Sequence, residues 1–468
     1  MKRAALLFIA VLIVMVACQP APTATPAPTN APLPTNTLLP TATPTLMNTP
    51  TATATQIATA TATLTAETRL KQWAESGTMT DAEKKTFTDA RAAYVKAFGI
   101  DQNSINTAPI EIKDKGGKVI AYAVVDDKTG VPLLVSGVNK EGKNVWVEAT
   151  LANAKPDNIR IASTGNSNLE TILTHFGNFT GNYAFHWINS NPSEGVMRFD
   201  RVTNEMKLAD RIGNKYQALH LVWGSKNALP DWLKNKINTG LTNDQLLSMI
   251  RNHVKEIVQF TKGKVATYSV VNEIFGSDTT PNNLFSKLYP TDEQAVDFIG
   301  EMLRIVRNEG SAAKLIINDT GIEFGGTKSD RIFNIVKKLK EKGAPIDGIG
   351  FQMHLIAARL TDADFTRLEE QIKRYNAIGV EVSFTEIDVD MNDRKAEPTQ
   401  KLIEQADIYR KVMEVGLKNG VTDFTFMSGN DESSWLIPSK PNAMPTLFSN
   451  NNPKRAYYSV LGELIKSR

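Results

Sequence analysis

From residue 159 to the end of the chain, short β-branched, apolar runs alternate with amphipathic helical stretches. Eight of these runs have the length and composition of buried strands. Several helical stretches end at a glycine, as expected where a helix gives way to a strand. The predicted strands are 159–164, 182–187, 216–223, 265–272, 314–318, 348–354, 380–385 and 422–427. The main predicted helices are 241–260, 292–308, 329–342, 362–376, 398–418 and 454–466.

Eight strand–helix units in about 300 residues have the number and size of a (β/α)8 barrel. The predicted fold class is therefore α/β, with a TIM barrel over residues 158–468. A doubly wound open sheet is the alternative architecture. The sequence has no glycine-rich phosphate loop, which argues against a nucleotide-binding form of that sheet.

The N-terminus has the pattern of an export signal over residues 1–18, in which Lys2 and Arg3 precede an unbroken apolar stretch. The stretch ends Met-Val-Ala-Cys, which resembles a bacterial lipobox. We expect Cys18, the only cysteine in the chain, to be lipidated. The alternative is an ordinary signal peptide or single anchor with an incidental cysteine.

Two further segments precede the predicted barrel. Residues 19–66 contain no charged side chain and are mostly Thr, Ala and Pro, so they are predicted to be a disordered linker. Residues 67–157 are predicted to form a small α+β domain, acting as a spacer or as a carbohydrate- or wall-binding module. Its predicted helices are 67–75 and 80–98, and its predicted strands are 119–125, 131–138 and 145–151.

Charge and hydropathy limit the expected partners. A net charge of +3 is too small to favour a nucleic-acid partner. No internal apolar run of about 20 residues follows the signal, so the lipid on Cys18 is the only membrane contact we expect. We expect an exported monomer, either a cell-surface lipoprotein or an extracellular protein.

Polar and aromatic side chains stand at the predicted strand ends, where a barrel places its active site. They are His186, Trp187, His220, Trp223, Asn272, Glu273, Asn318, Asp319, Gln352, His354, Glu386, Asp388, Asp431 and Trp435. Glu273 and Glu386 follow buried strands, and such a pair suggests acid/base or nucleophilic work on a sugar bond. The histidine spacing favours no metal site, and no cofactor is expected. Glu205, Glu323 and Asp390 are expected to lie on the surface.

The order and spacing of these motifs resemble glycoside hydrolase family 10, the endo-β-1,4-xylanases, over about residues 160–466. The first four motifs are Leu-Val-Trp at 221–223, Leu-Pro-Asp-Trp at 229–232, Val-Val-Asn-Glu at 270–273 and Ile-Asn-Asp at 317–319. The remaining three are Pro-Ile-Asp-Gly-Ile-Gly-Phe-Gln-Met-His-Leu at 345–355, Thr-Glu-Ile-Asp at 385–388 and Asp431-x-x-Ser434-Trp435. The resemblance implies a retaining hydrolase of xylan, with Glu273 as acid/base and Glu386 as nucleophile. Carboxyl groups about 5–5.5 Å apart are expected for that mechanism.

The resemblance also implies supporting roles. Asn272 bonds the sugar 2-hydroxyl, while His354 bonds Glu386 and is oriented by Asp388. Gln352 and Trp435 line the bound sugar. Trp223, His186 and His220 are further candidates for substrate contacts, with simple packing as the alternative for Trp223.

The segment predicted as the second strand departs from the family pattern Glu-Asn-x-Met-Lys-Trp, whose polar residues hold the glycone sugars. Here it is Asn-Tyr-Ala-Phe-His-Trp at 182–187, with His186 in place of the lysine. Leu219 and Gly224 stand where the family has two histidines, and Met427 stands in place of a tryptophan. Two alternatives to a xylanase therefore remain: a retaining hydrolase of another β-linked glycan, and a glycan-binding protein that has lost catalysis.

Overall fold

The computed structural model describes residues 110–113, 119–125, 132–138, 144–164, 175–211, 216–275 and 283–467. Cys18, the predicted signal, the predicted linker and the helices predicted at 67–75 and 80–98 lie outside these residues. The first described elements form an antiparallel sheet in the order β1-β2-β3-β4. Its strands are Ile110–Lys113 (β1), Val119–Val125 (β2), Pro132–Val138 (β3) and Asn144–Glu148 (β4).

A closed barrel of eight parallel strands follows. Its strands are Arg160–Thr164 (β5), Phe179–Gly181 (β6), Tyr216–Ala218 (β7), Val265–Asn272 (β8), Lys314–Asp319 (β9), Gly348–Phe351 (β10), Glu381–Asp390 (β12) and Asp423–Phe426 (β13). Each strand pairs with the next in chain order, and β13 pairs with β5 to close the ring. A short strand, His354–Ile356 (β11), pairs with the end of β12. This closure confirms the TIM barrel and excludes the open sheet.

Helices surround the barrel. They are Leu151–Ala154 (α1), Trp187–Ser190 (α2), Asp200–Arg211 (α3), Asp231–Asn238 (α4), Asn243–Thr261 (α5), Asp292–Asn308 (α6), Thr327–Glu341 (α7), Asp362–Asn376 (α8), Pro398–Lys418 (α9) and Arg455–Lys466 (α10). Capping boxes start α5 at Thr242 and α6 at Thr291. Among the described residues, no helix is long and apolar enough to cross a membrane.

The pairing of β5 with β13 is supported by a half-buried arginine side chain as well as by the strand ladder. The Arg160 guanidinium donates to Asp423 Oδ1 at 2.9 Å, to Thr425 Oγ1 at 3.1 Å and to the Phe179 carbonyl at 3.0 Å. These bonds join β5 to β13 and β6. They fix the side of the barrel opposite the one that carries the end of β8.

Several predicted strand boundaries are wrong. The second barrel strand is Phe179–Gly181, and the segment predicted as that strand, 182–187, forms the turn beyond it and the first residue of α2. The third strand ends at Ala218, after which only Val222 bridges to Val271. Residues 149–151, predicted as strand, leave β4 and start α1, because the Thr150 side chain accepts from the Asn153 amide and caps that helix.

Candidate active site

Three barrel strands end at a residue with left-handed backbone. Glu273 follows β8 with φ 49°, Met353 follows β10 with φ 60°, and Ser428 follows β13 with φ 72°. Such angles are unfavourable for residues other than glycine and cluster at functional sites. They turn the chain where these strands give way to the loops at the rim of the barrel.

Glu273 is half-buried and is held at both carboxylate oxygens. Trp223 Nε1 donates to Oε2 at 3.1 Å, and Gln352 Nε2 donates to Oε1 at 3.0 Å. The Asn283 amide donates to its backbone carbonyl at 3.0 Å. The side chain is therefore oriented by two residues that follow other strands, Trp223 after β7 and Gln352 after β10. Trp223 is a site residue as well as a packing residue.

Glu386 lies deeper, with three donors around its carboxylate. Asn318 Nδ2 donates to Oε1 at 2.8 Å, His220 Nε2 lies 3.4 Å from Oε1, and His354 Nε2 lies 3.6 Å from Oε2. Burial alone would raise the pKa of Glu386, but the two histidines outweigh it and hold the pKa well below its ordinary value. Glu386 is therefore ionised throughout the neutral and mildly acidic range.

His354 connects Glu386 to a second carboxylate. Its Nδ1 donates to Asp388 Oδ2 at 2.9 Å, and Trp435 Nε1 donates to the same oxygen at 2.9 Å. Burial opposes the imidazolium, but Asp388 and Glu386 together raise the pKa of His354 well above its ordinary value. The charged ring can then donate from both nitrogens. Trp435 leaves 49% of its surface exposed.

Amide side chains bridge the two glutamates. Gln352 Nε2 donates to Asn272 Oδ1 at 3.1 Å as well as to Glu273, and Asn318 Nδ2 donates to the same oxygen at 2.9 Å. With its oxygen held by two donors, Asn272 turns its amide nitrogen away from them. No bond from that nitrogen is found to the described residues, so it can donate to a ligand hydroxyl.

His186 is in the site although it lies in the turn after β6 and not on the strand. Its ring stacks on His220 at 6.0 Å between centroids and meets Trp223 edge-on at 5.1 Å. Burial, and then His220, lower the pKa of His186 to about 3, so the ring is neutral. All ten residues predicted for the substrate site therefore converge at one end of the barrel.

The Met427 thioether accepts two hydrogen bonds beyond the end of β13. Asn182 Nδ2 donates to Met427 Sδ at 3.3 Å, and Thr164 Oγ1 donates to the same sulfur at 3.3 Å. Asn182 and Met427 occupy positions where the family carries a glutamate and a tryptophan. The chain therefore has an uncharged amide where the family pattern has this carboxylate.

Some buried polar residues were not predicted. Asn318 stood at a predicted strand end but was given no role in the site. Ser269 Oγ lies 2.7 Å from His220 Nδ1, and it was missed because it lies inside a predicted strand and not at its end. The expectation of surface carboxylates is wrong for Glu323, whose Oε1 accepts from the Met353 amide at 3.0 Å, and for Asp390, which pairs with Lys440. It is also wrong for Glu205, which is only 6% exposed and accepts from the Tyr216 hydroxyl.

Within the described part of the chain, no three His, Cys, Asp or Glu side chains are grouped so as to ligate a metal ion. The site instead combines the carboxylates of Glu273, Glu386 and Asp388 with an amide network and indoles at the mouth of a (β/α)8 barrel. Such a combination defines a glycoside hydrolase, because carboxylates act on the glycosidic bond while amides and aromatic rings hold the sugars.

Comparisons with known proteins identify the family. The family model described as Glycosyl hydrolase family 10 matches residues 147–463, and the chain belongs to this family. A beta-1,4-xylanase of Dictyoglomus thermophilum is 32% identical over 303 residues, which are 62% of this chain and 82% of the relative.

Two solved structures are similar as well. Xylanase 10B from Thermotoga petrophila, in complex with xylobiose, has a TM-score of 0.59 at 27% identity and covers 66% of this chain and 94% of its own. Native xylanase 10B from Thermotoga maritima has a TM-score of 0.61 at 25% identity and covers 68% of this chain and all (100%) of its own. The chain is a xylanase-like glycosidase.

Proposed function

We propose that this chain cleaves internal β-1,4-xylosidic bonds with retention of configuration, using Glu386 as nucleophile and Glu273 as acid/base. The observation that carries the proposal is the different setting of the two carboxylates. Glu386 is buried among three donors, of which His220 and His354 lower its pKa and keep it ionised, while Glu273 is half-buried at the rim. The xylanases among the relatives support xylan as the substrate.

In the first step, a Glu386 oxygen attacks the anomeric carbon as the bond to the leaving oxygen breaks. Glu273 transfers its proton to that oxygen, and a glycosyl ester forms on Glu386. Asn272 donates from its free amide nitrogen to the 2-hydroxyl, a contact that strengthens in the oxocarbenium-like transition state. His354 and Asn318 then hold the ester oxygens in place.

In the second step, Glu273 takes a proton from water, and the water oxygen attacks the anomeric carbon. The ester bond breaks, and Glu386 leaves as a carboxylate that His354 and His220 stabilise. Two inversions give net retention. A separation of about 5–5.5 Å between the two carboxyl groups is the geometry this sequence of steps requires.

The test is hydrolysis of glucuronoxylan and arabinoxylan by the wild type and by Glu273→Gln and Glu386→Gln. Each variant should lose at least about a thousandfold in kcat/KM, since each removes a group that acts in the transition state. Glu341→Gln, an exposed carboxylate on α7, is the matched control and should retain full activity. Wild-type activity in either glutamine variant would contradict the assignment.

A second candidate is the same chemistry on another β-linked glycan. The neutral His186 and the Met427 thioether favour it, because the glycone pocket lacks the family's charged contacts. A panel of xylan, mixed-linkage β-glucan and β-mannan distinguishes the two. Tight binding of a glycan without turnover of any of them would instead support a binding protein.

We also infer export and lipid anchoring at Cys18, from the N-terminal sequence alone. The full chain should partition into detergent after expression in a bacterium that processes lipoproteins, and Cys18→Ala should move it to the soluble fraction. An unchanged partition would contradict anchoring at this cysteine.

A further inference from the structure

Tyr183 is an exposed aromatic side chain beside the candidate active site that the proposed mechanism does not use. It keeps 40% of its surface exposed. Its ring meets His186 edge-on at 5.4 Å, and His186 in turn contacts Trp223, the residue that donates to Glu273. Tyr183 therefore continues the aromatic lining of the site outward to solvent.

The backbone of Tyr183 is fixed. Its carbonyl accepts from Asn189 Nδ2 at 2.8 Å and from the His186 amide at 3.2 Å. These bonds close the turn between β6 and α2. A tyrosine presented on a closed turn loses little conformational freedom when a ligand contacts it.

A guanidinium covers the ring on one side. Arg201 Cζ lies 5.6 Å from the Tyr183 ring centroid, within the range of a cation–π contact. Arg201 Nε donates to Glu205 Oε1 at 3.4 Å, and the Tyr216 hydroxyl donates to the other Glu205 oxygen. The buried glutamate thus anchors the arginine, which supports the ring and leaves its remaining surface for a ligand.

The position of Tyr183 favours the nucleophile's side of the cleft. Its neighbour Asn182 bonds Met427 at the end of β13, the strand next to β12, which carries Glu386. Burial, and then the charge of Glu386, raise the pKa of Tyr183. Tyr183 contacts His186, His186 stacks on His220, and His220 Nε2 lies 3.4 Å from Glu386 Oε1. A chain of ring contacts therefore connects the exposed tyrosine to the surroundings of the nucleophile.

We propose that Tyr183 is a stacking platform for the β-linked pyranose unit adjoining, on the glycone side, the sugar attacked by Glu386. An aromatic face suits the apolar face of a pyranose, and here it compensates for the charged contacts that this pocket lacks. Tyr183 then sets how strongly the enzyme prefers a chain over a single sugar. This inference rests on the proposed function.

The test compares 4-nitrophenyl β-xyloside with 4-nitrophenyl β-xylobioside, which share a leaving group and differ by one glycone sugar. Tyr183→Ala should lower kcat/KM on the xylobioside by about threefold to tenfold, through KM, and leave the xyloside unchanged. Tyr183→Phe should keep the wild-type preference, and Arg201→Gln should lose part of it. Ile188→Ala, 43% exposed on the neighbouring α2, is the matched control and should change neither substrate.

If Tyr183→Ala lowers kcat/KM equally on both substrates, or on neither, Tyr183 does not bind the second glycone sugar. The proposed function would be unaffected by that result. A wild-type protein that hydrolyses neither glycoside nor xylan would instead contradict the proposed function. In that case, the affinity for xylotetraose should be measured by calorimetric titration of two proteins, the Glu386→Gln variant and the Glu386→Gln, Tyr183→Ala double variant. An unchanged affinity in the double variant would reject the inference, and a threefold to tenfold weaker one would support it.

Discussion

Asn318 donates its amide to Glu386 Oε1 at 2.8 Å, and the same nitrogen donates to Asn272 Oδ1 at 2.9 Å. The orientation of this amide is defined, because its oxygen accepts from Thr385 Oγ1 at 2.6 Å. One asparagine therefore orients both the proposed nucleophile and the residue proposed to bond the 2-hydroxyl. Its strand, β9, lies between β8 and β10, so barrel register sets the geometry of the site.

Asn318→Ala should lower kcat/KM on xylan by roughly 10- to 100-fold, since a hydrogen bond to a charged group contributes about 1.5–3 kcal/mol. The loss should fall mainly on kcat, because Glu386 and Asn272 act in the transition state. Steady-state kinetics measure it. Asn243→Ala, which removes an exposed bond to the Lys287 carbonyl, is the control. A variant within twofold of the wild type would show that Asn318 does not position the site.

His354→Gln should move the acid limb of the kcat/KM profile to higher pH. In the wild type, His220 and His354 offset the burial that raises the pKa of Glu386. Without the imidazolium, burial is less compensated, so that pKa rises and the nucleophile becomes protonated at a higher pH. The profile should be recorded with an aryl xylobioside.

His175→Gln is the matched control, because His175 bonds the Tyr457 hydroxyl away from Glu386. Its acid limb should coincide with that of the wild type. If His354→Gln lowers activity with no displacement of the acid limb, His354 acts by packing and not through the charge of Glu386.

Much of the site follows from the sequence because a barrel brings every strand's carboxyl end to one face. Asn272, Glu273 and Gln352 could be placed from strand ends alone. Glu386 was also placed in the site, although β12 continues past the predicted end at residue 385 to Asp390. Helix boundaries were also predictable where a threonine cap starts a helix with a strong apolar face, as at Thr291 before α6.

Other features depend on contacts that no local pattern encodes. Residues 182–187 are rich in aromatic side chains, which favours a strand, yet the chain turns there to bring His186 against His220. Glu205 was expected on the surface because it lies within a predicted helix, away from any strand end. It is buried because Tyr216, on the next strand, donates to it.

Asp319→Asn should change how stability depends on pH. Burial raises the pKa of Asp319 from 3.8 to about 6, although Lys328 opposes it. Because its folded-state pKa lies above the unfolded value, Asp319 adds to the free energy of unfolding. This contribution is fully present below pH 3.8 and is lost as pH rises through about 6. From pH 5 to pH 7.5 the free energy of unfolding of the wild type should therefore fall by about 1.5 kcal/mol relative to that of the variant.

Urea unfolding of both proteins at the two pH values measures that difference. Lys328 still donates to the Thr320 carbonyl at 2.8 Å in the variant, so its ammonium keeps a partner. Parallel stability profiles for the two proteins would contradict the raised pKa.

Tyr216→Phe should lower the free energy of unfolding by about 1–3 kcal/mol, because it leaves the buried Glu205 carboxylate short of a donor. Tyr268→Phe, which removes a bond between two neutral hydroxyls, should lose less, about 0.5–1.5 kcal/mol. Thermal and chemical unfolding provide the values. A larger loss at Tyr268 would indicate that Glu205 is satisfied without Tyr216.

The central claim is that Glu273 and Glu386 act as a retaining pair, and the configuration of the first product tests it directly. Proton NMR of xylotetraose hydrolysis, followed before mutarotation, should show the β-anomer at the new reducing end first, with the α-anomer appearing later. Initial formation of the α-anomer would mean that water attacks the sugar directly, and would contradict the roles assigned to both glutamates.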